Sequence, residues 1–149
     1  MNATVRQFLP RPENACFGCG GANAHGMKLA FEANTETGRV TGRFKIGTDF
    51  QGSYGVLHGG IIAVLLDEAM GKVCRLSDVR AVTAELNVEF LKPIYVDQEI
   101  VVEAHQSKRE GRQMYHHGEI RDNSGRVLAR GRGRFVIIDP AKYVKKDAK

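Results

Sequence analysis

HGGIIAVLLDEAMGKVCR, residues 58–75, decides how the chain folds. Here the two-residue hydrophobic period that prevails elsewhere fails, and apolar residues lie nearly all round a helical turn. A helix that is apolar on every side is a buried helix. On either side of it the period is two. Met27, Leu29, Phe31 and Ala33 alternate with more polar neighbours, NTETG supplies a turn, and Val40, Gly42, Phe44 and Ile46 alternate again, which reads as a hairpin. Val82, Ala84, Leu86, Val88 and Phe90 alternate with Thr83, Glu85, Asn87 and Glu89, a strand with one buried face bounded by Pro93. Three more strands are expected at about 98–109, 113–122 and 126–138, parted by the turn signals REGR and DNSG. All neighbours can pair antiparallel through short connections. The expectation is an α+β fold: a sheet of about six antiparallel strands, two before the helix and four after, wrapped around one long central helix.

The 149 residues, 42% of them hydrophobic, fit one globular domain with a core that needs neither disulfide nor metal. Residues 1–26 lack periodicity and read as an irregular segment, 27–139 as the folded domain, and 140–149 (PAKYVKKDAK) as a flexible basic tail. The longest nearly unbroken apolar stretch, 59–66, is far short of the roughly 20 residues of a membrane helix. The first fifteen residues contain Arg6, Arg11 and two prolines but no apolar signal region, so a cytoplasmic protein is expected. Cys16, Cys19 and Cys74 are odd in number, which fits a reducing compartment. A net charge of +5 is a modest excess, and alone it cannot separate nucleic acid, lipid and phosphate-bearing small molecules as partners.

Between Gly55 and Gly71 lie His58, Gly59, Gly60, Asp67 and Glu68. Each has a plain structural reading: glycines for a tight helix entry, a capping histidine, carboxylates facing water. Helix geometry separates the two acids. Glu68 has Lys72 four residues on, the favourable orientation for an exposed ion pair. Asp67 has Ala63 and Val64 behind it, Met70 and Gly71 ahead, and no local cation. An unpaired carboxylate in an apolar groove is costly, and such groups are commonly bases or nucleophiles. His58 and Asp67 are nine residues apart, which places them about 13 Å apart along the axis and on opposite faces. Within one chain they cannot touch, so a site using both needs two copies, a homodimer with two equivalent shared sites. The Gly59 and Gly60 amides at the helix start suit a carbonyl oxygen that acquires negative charge. Such amides plus a carboxylate are what hydrolysis of an activated acyl group requires.

HGGIIAVLLDEAMG resembles the helix motif of hotdog-fold acyl-CoA thioesterases of the PaaI-like, phenylacetyl-CoA thioesterase group, and the similarity runs from about residue 50 to 137. The resemblance implies that His58, Gly59 and Gly60 open the central helix and that Asp67 is the catalytic carboxylate, contributed by the other subunit. It implies a side-chain amide on the thioester carbonyl, for which Gln51 is the nearest match, one residue farther from the histidine than the family pattern. It also implies a hydroxyl that orients water, here Thr83. Simple alternation turns Thr83 away from the apolar face, so a bulge is needed for it to reach Asp67. The implied reaction releases free acid and CoA with no cofactor and no metal, in a homodimer that commonly pairs into a homotetramer, with neither nucleic acid nor membrane as partner. A non-catalytic acyl-CoA or aromatic-ligand binding module and a hotdog hydratase or dehydratase are the alternatives.

RGRGRF puts Arg130, Arg132 and Arg134 on one strand face and Gly131, Gly133 and Phe135 on the other. The arginines read either as a solvated face, whose glycines let the sheet approach a neighbour, or as a clamp for the phosphates of coenzyme A. No aromatic platform interleaves with them, which argues against nucleic acid. In CFGCGGANAHG, the residues Cys16, Cys19 and His25 are one short of the four ligands of a structural zinc site, so loop packing or pocket lining is expected instead. Cys74 reads as a small buried residue. Met70, Tyr54, Phe90 and Met114 are candidates to set the depth of an acyl pocket.

Overall fold

The helix forms over Gly59–Leu76 (α1), one residue later than its expected start. The structure, a computed structural model, describes residues 4–143, so the expected basic tail beyond Tyr143 lies outside the described residues. The strands are β1 (Val5–Phe8), β2 (Phe31–Asn34), β3 (Arg39–Lys45), β4 (Ala81–Phe90), β5 (Glu99–Glu110), β6 (Gln113–Arg121) and β7 (Val127–Ile137), followed by a single turn of helix, α2 (Pro140–Tyr143). They make one seven-stranded antiparallel sheet in the order β1-β2-β3-β5-β6-β7-β4.

Two features differ from the sequence reading. The extra strand, β1, falls in the segment taken as irregular, and its four residues are too few to display a period. Sequence neighbours β4 and β5 do not pair: β5 lies between β3 and β6, while β4 crosses to β7 and ends the sheet. Alternation reports which face of a strand is buried and is silent on which strand lies beside it.

Helix and sheet meet through large side chains on one and glycines on the other. Leu65, Leu66, Ala69 and Met70 are completely buried. Gly118 of β6 and Gly131 of β7 are register partners. A Cβ atom at Gly131 would stand 3.2 Å from Leu66 Cδ1, and one at Gly118 equally close to Leu66 Cδ2, so the absent side chains let α1 settle onto the sheet. Arg130 and Arg132, on either side of Gly131 in β7, are exposed and point from the opposite face.

Between β1 and β2 the chain forms a strap over α1. The Met27 and Leu29 N–H groups donate to the carbonyls of Phe17 and Gly18, at 2.8 and 2.9 Å, in place of strand partners. This is why β2 begins only at Phe31 although the alternation starts at Met27. Gly18 rests against the Glu68 side chain with no room for a Cβ.

Candidate active site

His58 is the N-cap of α1, with an extended backbone (ψ 137°), and its Nδ1 accepts from the Gly60 N–H at 2.9 Å. Ile61 and Ile62 both donate to the His58 carbonyl, at 2.9 and 3.1 Å. Of the first-turn amides, the Gly59 N–H is therefore the one without an acceptor among the described residues. Both glycine amides were expected to be free, but the capping histidine engages Gly60. Because Nδ1 accepts, a neutral His58 carries its proton on Nε2.

Gln51 and His58 line a cavity of about 820 Å³ with Ile61 and Val64 from α1 and with Phe17 and His25 from the strap. Phe17 meets Phe50 edge to face, with ring centroids 6.4 Å apart. Met70 and Met114 are instead buried in the core, whereas Tyr54 (98% exposed) and Phe90 (57%) lie on the surface, so none of these four lines the cavity.

Asp67 does not line the cavity. It is half-buried on the side of α1 that faces β4, where the Thr83 hydroxyl donates to Oδ1 at 2.6 Å. The register of β4 against β7 shifts between Thr83 and Glu85, and this is the bulge that turns Thr83 toward the helix. Burial pushes the Asp67 carboxyl above its ordinary value, the Thr83 hydrogen bond works against that rise, and the neighbouring Glu68 charge adds to it. No cation pairs with Asp67 among the described residues.

Glu68 pairs with Lys72 at 3.7 Å as its spacing suggests, yet both side chains are only 15% exposed, because the strap covers them. The Cys16 thiol donates to Glu68 Oε1 at 3.5 Å. Burial pushes the Cys19 thiol up to about 11. The acid beside both cysteines is Glu68, whereas His25 faces the cavity. Sequence reasoning missed this covered side of α1. The signal was local: Gly18 between the two cysteines marks a close approach of backbone to a neighbour.

Arg130, Arg132 and Arg134 are not brought to the helix start. They lie on the outer face of the sheet, where Arg130 sits 3.6 Å from Glu119 and Arg134 donates to Gln113 at 3.3 Å.

The sequence pattern of the thioesterase superfamily matches residues 54–129, just over half of the chain, and the chain belongs to that superfamily. Acyl-coenzyme A thioesterase THEM4 of Rattus norvegicus is 31% identical over 118 residues, which are 78% of this chain and 51% of the rat protein. The chain thus spans about half the length of that relative. A solved thioesterase superfamily protein superposes with a TM-score of 0.76 at 26% identity, over 82% of this chain and 60% of the other. The smu.793 protein of Streptococcus mutans, solved bound to acetyl CoA, superposes with a TM-score of 0.65 at 18% identity, over 68% and 82% of the two chains. These likenesses establish the hotdog fold.

Proposed function

We propose that this chain hydrolyses an acyl-CoA thioester to the free acid and CoA, in a site shared between two copies. The observation that carries the reading is Asp67: a half-buried carboxylate oriented by Thr83 and, among the described residues, without a cation, on the same helix whose first amide, Gly59, has no acceptor among those residues. The names of THEM4 and of the acetyl CoA complex of smu.793 support the substrate class.

In the reaction the thioester oxygen accepts from the Gly59 N–H, with Gln51 or the Nε2–H of His58 as a further donor, and negative charge develops there. Asp67 of the partner subunit takes a proton from water while the oxygen of that water adds to the carbonyl carbon. Collapse of the tetrahedral intermediate breaks the carbon–sulfur bond, and the departing CoA thiolate recovers the proton. Direct attack by the carboxylate through a mixed anhydride uses the same groups. No cofactor enters either route.

The edge strand supports a dimer. Among the described residues β4 ends the sheet, leaving one side of a ten-residue strand unpaired. Thr83 near its start holds Asp67, and Phe90 at its end lies about where a Cβ on Gly59 would touch it, at 3.5 Å. Two β4 strands paired antiparallel about a two-fold axis would set the Thr83 end of one against the Phe90 end of the other, bringing Asp67 of one copy toward Gly59 of its partner. Pairing of two such dimers into a tetramer, and a cytoplasmic location for the three free thiols, complete the reading. Among the described residues no helix is long and apolar enough to cross a membrane. Of the three arginines proposed for the CoA phosphates, Arg132 has no ion pair among the described residues, whereas Arg130 already faces Glu119.

The test is release of CoA thiol from a panel of aryl, short-chain and long-chain acyl-CoA substrates. Turnover by the wild type that is lost in Asp67→Ala, with the dimer intact, is expected. Binding without turnover across the panel would identify a ligand-binding module, and hydration of an enoyl-CoA faster than any thioester cleavage would identify a hydratase.

A further inference from the structure

The strap carries two thiols that the proposed hydrolysis does not use. Cys16 and Cys19 lie over α1, and their Sγ atoms and a carboxylate oxygen of Glu68 are all within 4.8 Å of one another. Tetrahedral zinc, with Zn–S of about 2.3 Å and Zn–O of about 2.0–2.2 Å, sets its ligand atoms about 3.5–3.8 Å apart. The Cys16 Sγ to Glu68 Oε1 separation is already 3.5 Å. Closing the remaining gaps takes movements of no more than about 1 Å.

The local surroundings are arranged as the neighbours of metal ligands are. Asn14 Oδ1 accepts from the Cys16 N–H at 3.0 Å, while Asn14 Nδ2 donates to Cys19 Sγ at 4.0 Å, so one side chain orients both ends of the Cys-x-x-Cys turn. The Gly20 N–H closes that turn on the Cys16 carbonyl at 2.9 Å. Charge balances as well. Two thiolates and a carboxylate around a divalent cation leave one negative charge, which the Lys72 ammonium, 3.7 Å from Glu68 Oε2, offsets. Loading exchanges two thiol protons for one divalent cation, so Lys72 has the same single charge to offset before and after.

We propose that Cys16, Cys19 and Glu68 form a binding site for a zinc-class divalent cation that fastens the strap to α1. The fourth position is taken by water, because His25 faces the cavity instead. The site holds Phe17, which walls the cavity, to the helix residue that follows Asp67. Its role is structural, and the hydrolysis proposed above proceeds without it.

The test is titration of the reduced, chelator-treated protein with cobalt(II). One equivalent of cobalt is expected to produce a thiolate-to-cobalt charge-transfer band in the near ultraviolet and the visible bands of a tetrahedral ion, both removed by zinc. Cys19→Ser is expected to abolish the band. Glu68→Gln, which keeps the side-chain shape under the strap, is expected to weaken cobalt binding by about 10-fold or more. Zinc at 100 times the wild-type Kd is expected to stabilise the wild type against unfolding, and to stabilise Glu68→Gln less at the same concentration. Absence of the band from the reduced wild type, a band of equal strength in Cys19→Ser, or unchanged cobalt affinity in Glu68→Gln would overturn the proposal. Thioester cleavage by the metal-free protein is a separate readout, so either idea can fail alone.

Discussion

Gly59 occupies the first helical position, where a backbone N–H has no intrahelical partner and proline is tolerated. His58 before it already has the extended conformation that a following proline demands. Gly59→Pro therefore removes one hydrogen-bond donor while leaving α1 in place. The expected result is a fall in kcat of about 10²–10³ with an unchanged unfolding midpoint, measured by steady-state kinetics beside thermal denaturation. Unchanged kcat would remove this amide from the chemistry. Thr83 supports a second expectation. Its hydroxyl favours the charged form of Asp67, whose carboxyl is otherwise raised by burial. Activity that needs the carboxylate fails as pH drops through the Asp67 pKa, so Thr83→Ala moves that acidic limb to higher pH and Thr83→Ser restores it. A limb that stays put in Thr83→Ala would show that Asp67 does not govern it. Both residues were legible in sequence: the helix start from its motif, and Thr83 on condition of a bulge that the register shift supplies. That His58 could cap the helix was legible from its position, but which amide it engages was not, because that depends on a rotamer that sequence does not record.

At the scale of elements, the contact between α1 and β6 contains a buried histidine. His116 is 1% exposed, its Nε2 lies 3.3 Å from Cys74 Sγ, and its Nδ1 has no hydrogen-bond partner among the described residues. Burial pulls its pKa down to about 4, so the folded protein holds the ring neutral. The unfolded chain takes up a proton at about pH 6.5, so this contribution to stability is complete above that pH and is lost as pH falls toward 4. Between pH 7 and pH 5 the wild type is expected to lose about 2 kcal/mol more than His116→Phe, measured by urea unfolding. Equal losses would show that His116 does not titrate across unfolding.

The strands that were easiest to read have clear punctuation. Those expected at about 98–109, 113–122 and 126–138 form at Glu99–Glu110, Gln113–Arg121 and Val127–Ile137. The turns between them hold Gly111 and Gly125, with φ of 59° and 87°, in a region that favours glycine. What escaped was the strap. Its contacts with α1 join residues some fifty apart, as in Cys16 with Glu68, and no local period encodes them.

The whole molecule raises a question that no single chain answers. Asp67 faces β4, His58 faces the cavity, and α1 separates them, as their nine-residue spacing requires. Sequence spacing alone thus pointed to an assembly, and the free edge of β4 supplies a surface on which to build it. Complementation between two variants that each disable one half of the site tests this most directly. Asp67→Ala and Gly59→Pro are unfolded together, refolded as a mixture, and assayed for thioester cleavage beside each variant alone. In a mixed dimer one site has lost both groups and the other retains both, so the mixture is expected to recover about a quarter of wild-type activity. A mixture no more active than the separate variants, with mixed dimers shown to form, would contradict a site shared between subunits.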